Sequence, residues 1–468
     1  MQKKKVNSIN SKILQSVKKI HFIGIGGVGM SGIAEYLVKN GYEVSGSDSA
    51  PGEITNRLSS FGVRIFEGHN ASNVNKNIDL VVYSAAIKAD NPELAKTLEL
   101  GIHNVKRAKM LGEIVNNDFL IAVSGTHGKT STTAMVAKVL IDCGLDPTVF
   151  VGGAIDFLED GNSRIGKGKY SVVEADEYDR SFLTLKPDIV IITNVDLDHT
   201  DIYKDLGDLK NAFKEFLKGG KENCRIIGFG DDRNVADLLN SVNNICSFTY
   251  GFGKQNKYVI EESYLKDSKI RYEMNGEYID LSVPGKHNVL NSAASFIAGS
   301  LLELDPGMIK LSLKSFFGVK RRLELKYEND IRVYDDYAHH PTEIEYSLFA
   351  VKEISKSRVI TVFQPHTYTR TRDFFGGFAK ALKDNDITIL LDLYPAREKA
   401  IEGVSTELIY DKMKSVGLDN VYYEKSFDNA IKKLGEIVKK DDTIIFQGAG
   451  DVTNLCSDFV NKLKNTEN

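Results

Sequence analysis

Residues 124–132 read SGTHGKTST, directly after the apolar run FLIAV and ahead of a stretch with helical periodicity. A strand, a glycine loop and then Lys and Thr at a helix start suit phosphate binding. Backbone N–H groups and the helix N-terminus face the anion, the Lys129 amine reaches the terminal phosphates, and the Thr130 hydroxyl holds Mg2+. The loop is shorter than the general phosphate-binding pattern, because Gly125 stands four residues before Lys129 and Val123 occupies the place six before it. Gly125, Thr126, His127, Gly128, Lys129, Thr130 and Ser131 form the expected nucleotide cradle.

Two further strand ends carry acids. VVEADEYD (172–179) and NVDLDHTD (194–201) close apolar runs with Glu174, Asp176, Asp196, Asp198 and His199. They fall at the carboxyl edge of the same sheet, where open α/β sheets bind ligands. Mg2+ takes one or two carboxylates together with phosphates, so Thr130 and Glu174 are read as ligands of one ion and His199 as a ligand of a second.

A second glycine loop, HFIGIGGVGMSGIAEYL (21–37), satisfies G-x-G-x-x-G at Gly24, Gly26 and Gly29, with Asp48 at the end of the next strand. This is the dinucleotide fingerprint, and its geometry serves any diphosphate, a sugar nucleotide as well as NAD. Later come GKHNVLNSAA (285–294), VKRRLE (319–324), YDDYAHHPTE (334–343) and FQPHTYTRTRD (363–373). His-His-Pro is poor spacing for two ligands of one metal, so His366, Arg370 and Arg372 are read as binding an anionic substrate, Arg matching carboxylate geometry.

Short β-branched runs alternating with amphipathic helical stretches must position these groups, a pattern of parallel sheets covered on both faces. The first series holds strands at 19–25, 42–48, 64–68, 79–86 and around 103–108. The second holds strands at 119–125, 170–176, 188–195 and 225–230, then a hairpin over 268–283 turning at Asn275-Gly276. The third holds strands at 331–338, 358–366, 387–396 and 442–450. With joints near 116–118 and 318–321, the expectation is an α/β chain of three domains. These are a Rossmann-like domain over 1–117, a central P-loop domain over 118–318 and a second Rossmann-like domain over 319–468.

The 468 residues carry 60 Lys and Arg against 64 Asp and Glu, a balance with no pull toward nucleic acid. Four cysteines without a C-x-x-C pair exclude a disulfide framework, and no apolar run reaches the roughly 18 residues of a membrane span. A cytoplasmic enzyme is expected, with residues 1–20 a frayed basic tail. Two other classes stay open on the glycine loops alone: an NAD-dependent dehydrogenase, which leaves the 124–132 loop unexplained, and a non-catalytic nucleotide-binding protein.

In order, GIGGVGMSG, SGTHGKTSTT, EADEYDRSF, TNVDLDH, GKHNVLNSAA, FFGVKRRLE, DDYAHHPTE and QPHTYTRTRD resemble the motifs of the Mur ligases, from about Lys19 to Asn454. The resemblance implies three domains and an ATP-dependent ligase of peptidoglycan synthesis, a monomer or weak homo-oligomer. It would join L-alanine to the lactyl carboxylate of UDP-N-acetylmuramate through an acyl phosphate; the alternative is attachment of a murein tripeptide. Lys129, Glu174, His199 and Arg322 would be catalytic, with Mg2+, or Mn2+ in its place, on Thr130, Glu174 and His199. It also implies His287, Asn288, Asn291, Arg322 and Asp336 as ATP contacts. Gly26, Gly27, Gly29, Met30, Asp48, His69 and Ser84 would hold the UDP-sugar, and Tyr337, His339, His366 and Arg370 the amino acid. The pattern departs at Thr367, where many members carry Arg.

Overall fold

Alternation of apolar runs with helical stretches becomes three largely parallel sheets in the computed structural model, which describes residues 11–158, 161–200, 202–242, 245–266 and 269–466. The chain divides into two compact units, one of Met1–Val259 with Ser292–Ser312 and the other of Ile260–Asn291 with Leu313–Asn468.

The first unit contains two sheets. One is five-stranded and all parallel, in the order Arg64–Glu67, Glu43–Asp48, Lys19–Ile23, Leu80–Tyr83, His103–Lys106. This 3-2-1-4-5 order places the chain reversal between Lys19–Ile23 and Leu80–Tyr83, where doubly wound sheets open a crevice at the strands' carboxyl ends. In the other sheet the parallel run is Cys246–Gly251, Arg225–Phe229, Ile189–Ile192, Phe119–Ser124, Tyr170–Glu174 and Thr148–Phe150, with Ser163–Arg164 antiparallel at the edge. Ile189–Ile192 is buried throughout, as expected of a parallel strand covered on both faces.

The second unit holds a six-stranded sheet in the order Glu324–Glu328, Arg332–Asp336, Thr443–Gln447, Val359–Phe363, Ile387–Leu391, Val421–Glu424. Only its first pair is antiparallel. The expected hairpin pairs Lys269–Met274 with Glu277–Leu281, and Asn275 and Gly276 take φ of 51° and 82°, the mirror-image turn that Asn-Gly favours. The first hairpin residue, Ser268, lies outside the described residues, as do residues 1–10 of the basic tail.

Beyond residue 10 the tail is not frayed. Lys12–Gln15 is a helical turn capped by the Ser11 hydroxyl, which accepts from Leu14 N and donates to Glu113 Oε2. Leu14 is buried in the core, so one apolar side chain and one cap outweigh the solvation of the neighbouring lysines.

Candidate nucleotide and substrate sites

The loop after Phe119–Ser124 owes its shape to two glycines. Gly125 has φ of +130° and a Cβ there would stand 2.1 Å from Thr193 Oγ1, so the loop lies flush on the neighbouring strand end. Gly128, at φ of +81°, turns the chain into the helix Lys129–Asp142. The adjoining TNVD segment (193–196) pins the loop from the side. Thr126 N donates to Asn194 O, His127 N to Asn194 Oδ1, and Thr193 Oγ1 to His127 O. The first-turn N–H groups of the helix, which have no intrahelical acceptor, open onto the strand ends.

Lys129 and Thr130 each face an acid from the strand end beside them. Thr130 Oγ1 donates to Glu174 Oε1 at 3.0 Å, and Gly152 N donates to Glu174 Oε2 at 2.7 Å. Lys129 Nζ donates to both oxygens of Glu177, at 3.0 and 2.8 Å, and to the carbonyls of Gly125 and Thr126. Burial alone would lower the Lys129 pKa, but Glu177, Asp176 and Glu174 outweigh it and hold the amine above the ordinary lysine value. His199, at φ of 55°, brings Nε2 to 3.8 Å from Glu177 Oε1. Asp176, Glu177 and His199 present ligand atoms within 4.8 Å of one another. Two carboxylates and an imidazole beside a Thr–Glu pair make a hard, mainly oxygen donor set, which fits Mg2+ and accepts Mn2+.

A cavity of about 310 Å3 joins this region to the first glycine loop. Gly27, Gly29, Met30 and Ser84 line it together with Glu174 and Asp176. Gly26 N donates to Asp48 Oδ2 at 2.8 Å, and a Cβ on Gly26 would press on the same oxygen. His69 stands one layer away, its Nδ1 2.9 Å from Ser47 Oγ. The cavity's cation was not read from the sequence. Arg107, at the start of the helix Arg107–Val115, reaches Gly29, where a Cβ would lie 3.0 Å from Nη1. Reading HNVKRA as strand continuation hid it, and its approach to Gly29 arises only when the strands assemble into the sheet.

In the second unit, Tyr337, His339, His366 and Arg370 form one connected group. The Tyr337 and His339 rings stand 5.3 Å apart, those of His339 and His366 5.8 Å apart, and Arg370 Nη1 lies 3.3 Å from His366 Nδ1. Tyr394, also unforeseen, stacks on His366 at 5.9 Å and 12°. Arg322 sits over the Tyr337 ring with Nη1 3.9 Å from Glu343. His287 and Asn288 open the helix Lys286–Leu301, with Asn291 one turn on, and Asn288 Nδ2 donates to Pro284 O. Burial pushes the His287 pKa down to about 4. Asp336 is buried, its carboxylate accepting from Leu323 N and Gln447 Nε2, while Arg372 is tied to its neighbour Asp373. His340 is a buried helix cap that accepts from Thr342 N. Thr367, at φ of 68°, caps the helix carrying Arg370.

Three family models match in succession: the catalytic domain of the Mur ligase family over residues 19–119, the Mur ligase middle domain over 123–299, and the Mur ligase glutamate ligase domain over 321–450. A UDP-N-acetylmuramate--L-alanine ligase of Acetivibrio thermocellus is 43% identical over 95% of this chain and 96% of its own. One from Sulfurihydrogenibium is 43% identical over 96% and 99%. The crystal structure of a UDP-N-acetylmuramate-alanine ligase from Thermotoga maritima is 32% identical, covers 96% of this chain and 99% of that one, and superposes with a TM-score of 0.82. A murein peptide ligase from Psychrobacter arcticus, 24% identical over 95% of this chain and 98% of its own with a TM-score of 0.69, shares the fold. Three α/β domains in this order, with a phosphate loop facing acidic strand ends, and likeness over nearly the whole length place the chain in the Mur ligase family.

Proposed function

We propose that this protein is the ATP-dependent ligase that joins L-alanine to the lactyl carboxylate of UDP-N-acetylmuramate, a cytoplasmic step of peptidoglycan synthesis. The observation that carries the reading is the cavity that runs from the glycine loop, past Arg107, to Glu174 and Asp176 beside the phosphate loop. A molecule with a diphosphate at one end and a carboxylate at the other spans such a cavity.

Residues 1–117 take the UDP-sugar in this reading, 118–318 the ATP, and 319–468 the amino acid. The lactyl carboxylate oxygen attacks the γ-phosphorus, the bond to the β-phosphate oxygen breaks, and an acyl phosphate and ADP result. Lys129 exchanges Glu177 for phosphate oxygens, and Arg322 supplies a second cation to the transferred group. Thr130, Glu174 and His199 are the residues to hold Mg2+, which when bound neutralises phosphate charge. The alanine amine then adds to the acyl carbon, and the C–O bond to phosphate breaks to leave the amide. His339 is assigned to take the amine's proton, and Tyr337 O and Glu343 Oε2, which face its Nδ1, hold the ring in place. Arg370 and His366 receive the alanine carboxylate.

This route moves one carboxylate oxygen into phosphate. With UDP-N-acetylmuramate labelled by 18O in the lactyl carboxylate, the released phosphate carries one label per turnover. Unlabelled phosphate contradicts the acyl phosphate.

A further inference from the structure

A buried polar group lies beneath the first glycine loop. Glu93 and His21 are fully buried, and Ser47 stands between them and the half-buried His69. Ser47 belongs to the loop's own support, since its carbonyl accepts from Gly24 N and Ile25 N. The Ser47 hydroxyl donates to Glu93 Oε2, and its oxygen also lies 2.9 Å from His69 Nδ1. The other Glu93 oxygen accepts from Asn73 Nδ2 at 2.6 Å and from Asn70 N at 3.4 Å.

Proton counting then settles the imidazole. A hydroxyl has one hydrogen, and with that hydrogen on Glu93 the Ser47 oxygen can only accept from His69. Nδ1 therefore carries the proton, and Nε2, which makes no hydrogen bond within the described chain, presents a lone pair. We infer that Glu93, acting through Ser47, is a positioning residue that fixes His69 as a hydrogen-bond acceptor, so that the site selects a nucleoside donating an N–H or O–H at that point. The inference rests on the reading that this domain holds the UDP-sugar. It accounts for a buried carboxylate that otherwise takes no part in ATP or alanine chemistry.

Glu93→Gln tests it with little change of shape. Asn73 and Asn70 both donate to Oε1, so the amide oxygen of Gln must take that place and its NH2 must face Ser47. The Ser47 hydroxyl then accepts from the amide and gives its hydrogen to His69 Nδ1, which turns Nε2 into a donor. In the wild-type protein, 15N spectra of His69 should show Nε2 pyridine-like and Nδ1 pyrrole-like, and Glu93→Gln should exchange the two. The KM for UDP-N-acetylmuramate should rise about tenfold in that variant, the worth of one hydrogen bond at a site. KM for ATP and kcat should stay within about twofold. A wild-type His69 with a pyridine-like Nδ1, or a folded Glu93→Gln enzyme with unchanged KM while His69→Ala raises it, overturns the inference. An unchanged KM in His69→Ala itself overturns the underlying placement of the uridine.

Discussion

Lys129 Nζ lies 2.8 Å from Glu177 Oε2, an ion pair almost closed to solvent at the mouth of the phosphate loop. The amine that the mechanism assigns to phosphate is thus held by a carboxylate when no nucleotide contests it. Exchange of one set of oxygens for another keeps the amine charged throughout, which the neighbouring acids already favour.

Removing the cation should stop the first chemical step. Lys129→Ala is expected to lower ADP formation by at least about 10²-fold, the range for one transition-state charge stabiliser. Binding of UDP-N-acetylmuramate, measured by calorimetry, should persist because the glycine loop and Arg107 are untouched. Turnover at the wild-type rate would remove Lys129 from the mechanism.

Removing its partner should have the opposite character. Glu177→Ala leaves a buried ammonium without its carboxylate, a change that costs about 3–5 kcal/mol in comparable pairs. The ligand-free enzyme should melt well below wild type, and ATP should recover more of that loss than it adds to wild type, because phosphate replaces the missing charge. Equal melting temperatures without nucleotide would show that the pair contributes nothing.

Gly125→Ala should fail for steric reasons alone. A Cβ 2.1 Å from Thr193 Oγ1, at a φ that side chains rarely adopt, forces the loop off the strand end. A loss of about 2 kcal/mol or more in urea unfolding is expected, together with loss of ATP binding. Gly52→Ala, where a Cβ would meet nothing within 4 Å, serves as the mild control.

Acid should weaken the second unit through His287. Its folded pKa, about 4, lies below the 6.5 of the unfolded chain, so the unfolded state binds the extra proton first. Stability from this group is intact above pH 6.5 and falls as pH drops toward 4. Between pH 7 and pH 5 the loss is about 2 kcal/mol. His287→Asn should flatten that part of the pH dependence in urea titrations, and an unchanged slope would show that His287 is not the group responsible.

The features legible from sequence were those whose chemistry is local. Both glycine loops, the Glu174 and His199 strand ends and the Asn275-Gly276 turn each sit on a few consecutive residues, so spacing reveals them. Central strands such as Ile189–Ile192 were legible because burial on both faces makes them continuously apolar. Short or compositionally mixed strands were missed: Cys246–Gly251 and Glu324–Glu328 are partly exposed and mixed in composition, and Ser163–Arg164 is two residues long. Arg107, Glu93 and Tyr394 were invisible for a different reason. Each acquires its partner, Gly29, Ser47 and His366 respectively, only when distant strands assemble into a sheet.

Acceptor choice separates addition of alanine from addition of a tripeptide. Phosphate release from ATP is to be measured with UDP-N-acetylmuramate and, in parallel, L-alanine, glycine, L-serine and the murein tripeptide. Release is expected to require the UDP-sugar and to be fastest, by kcat/KM, with L-alanine. A large preference for the tripeptide, or release independent of UDP-N-acetylmuramate, would contradict the proposed function.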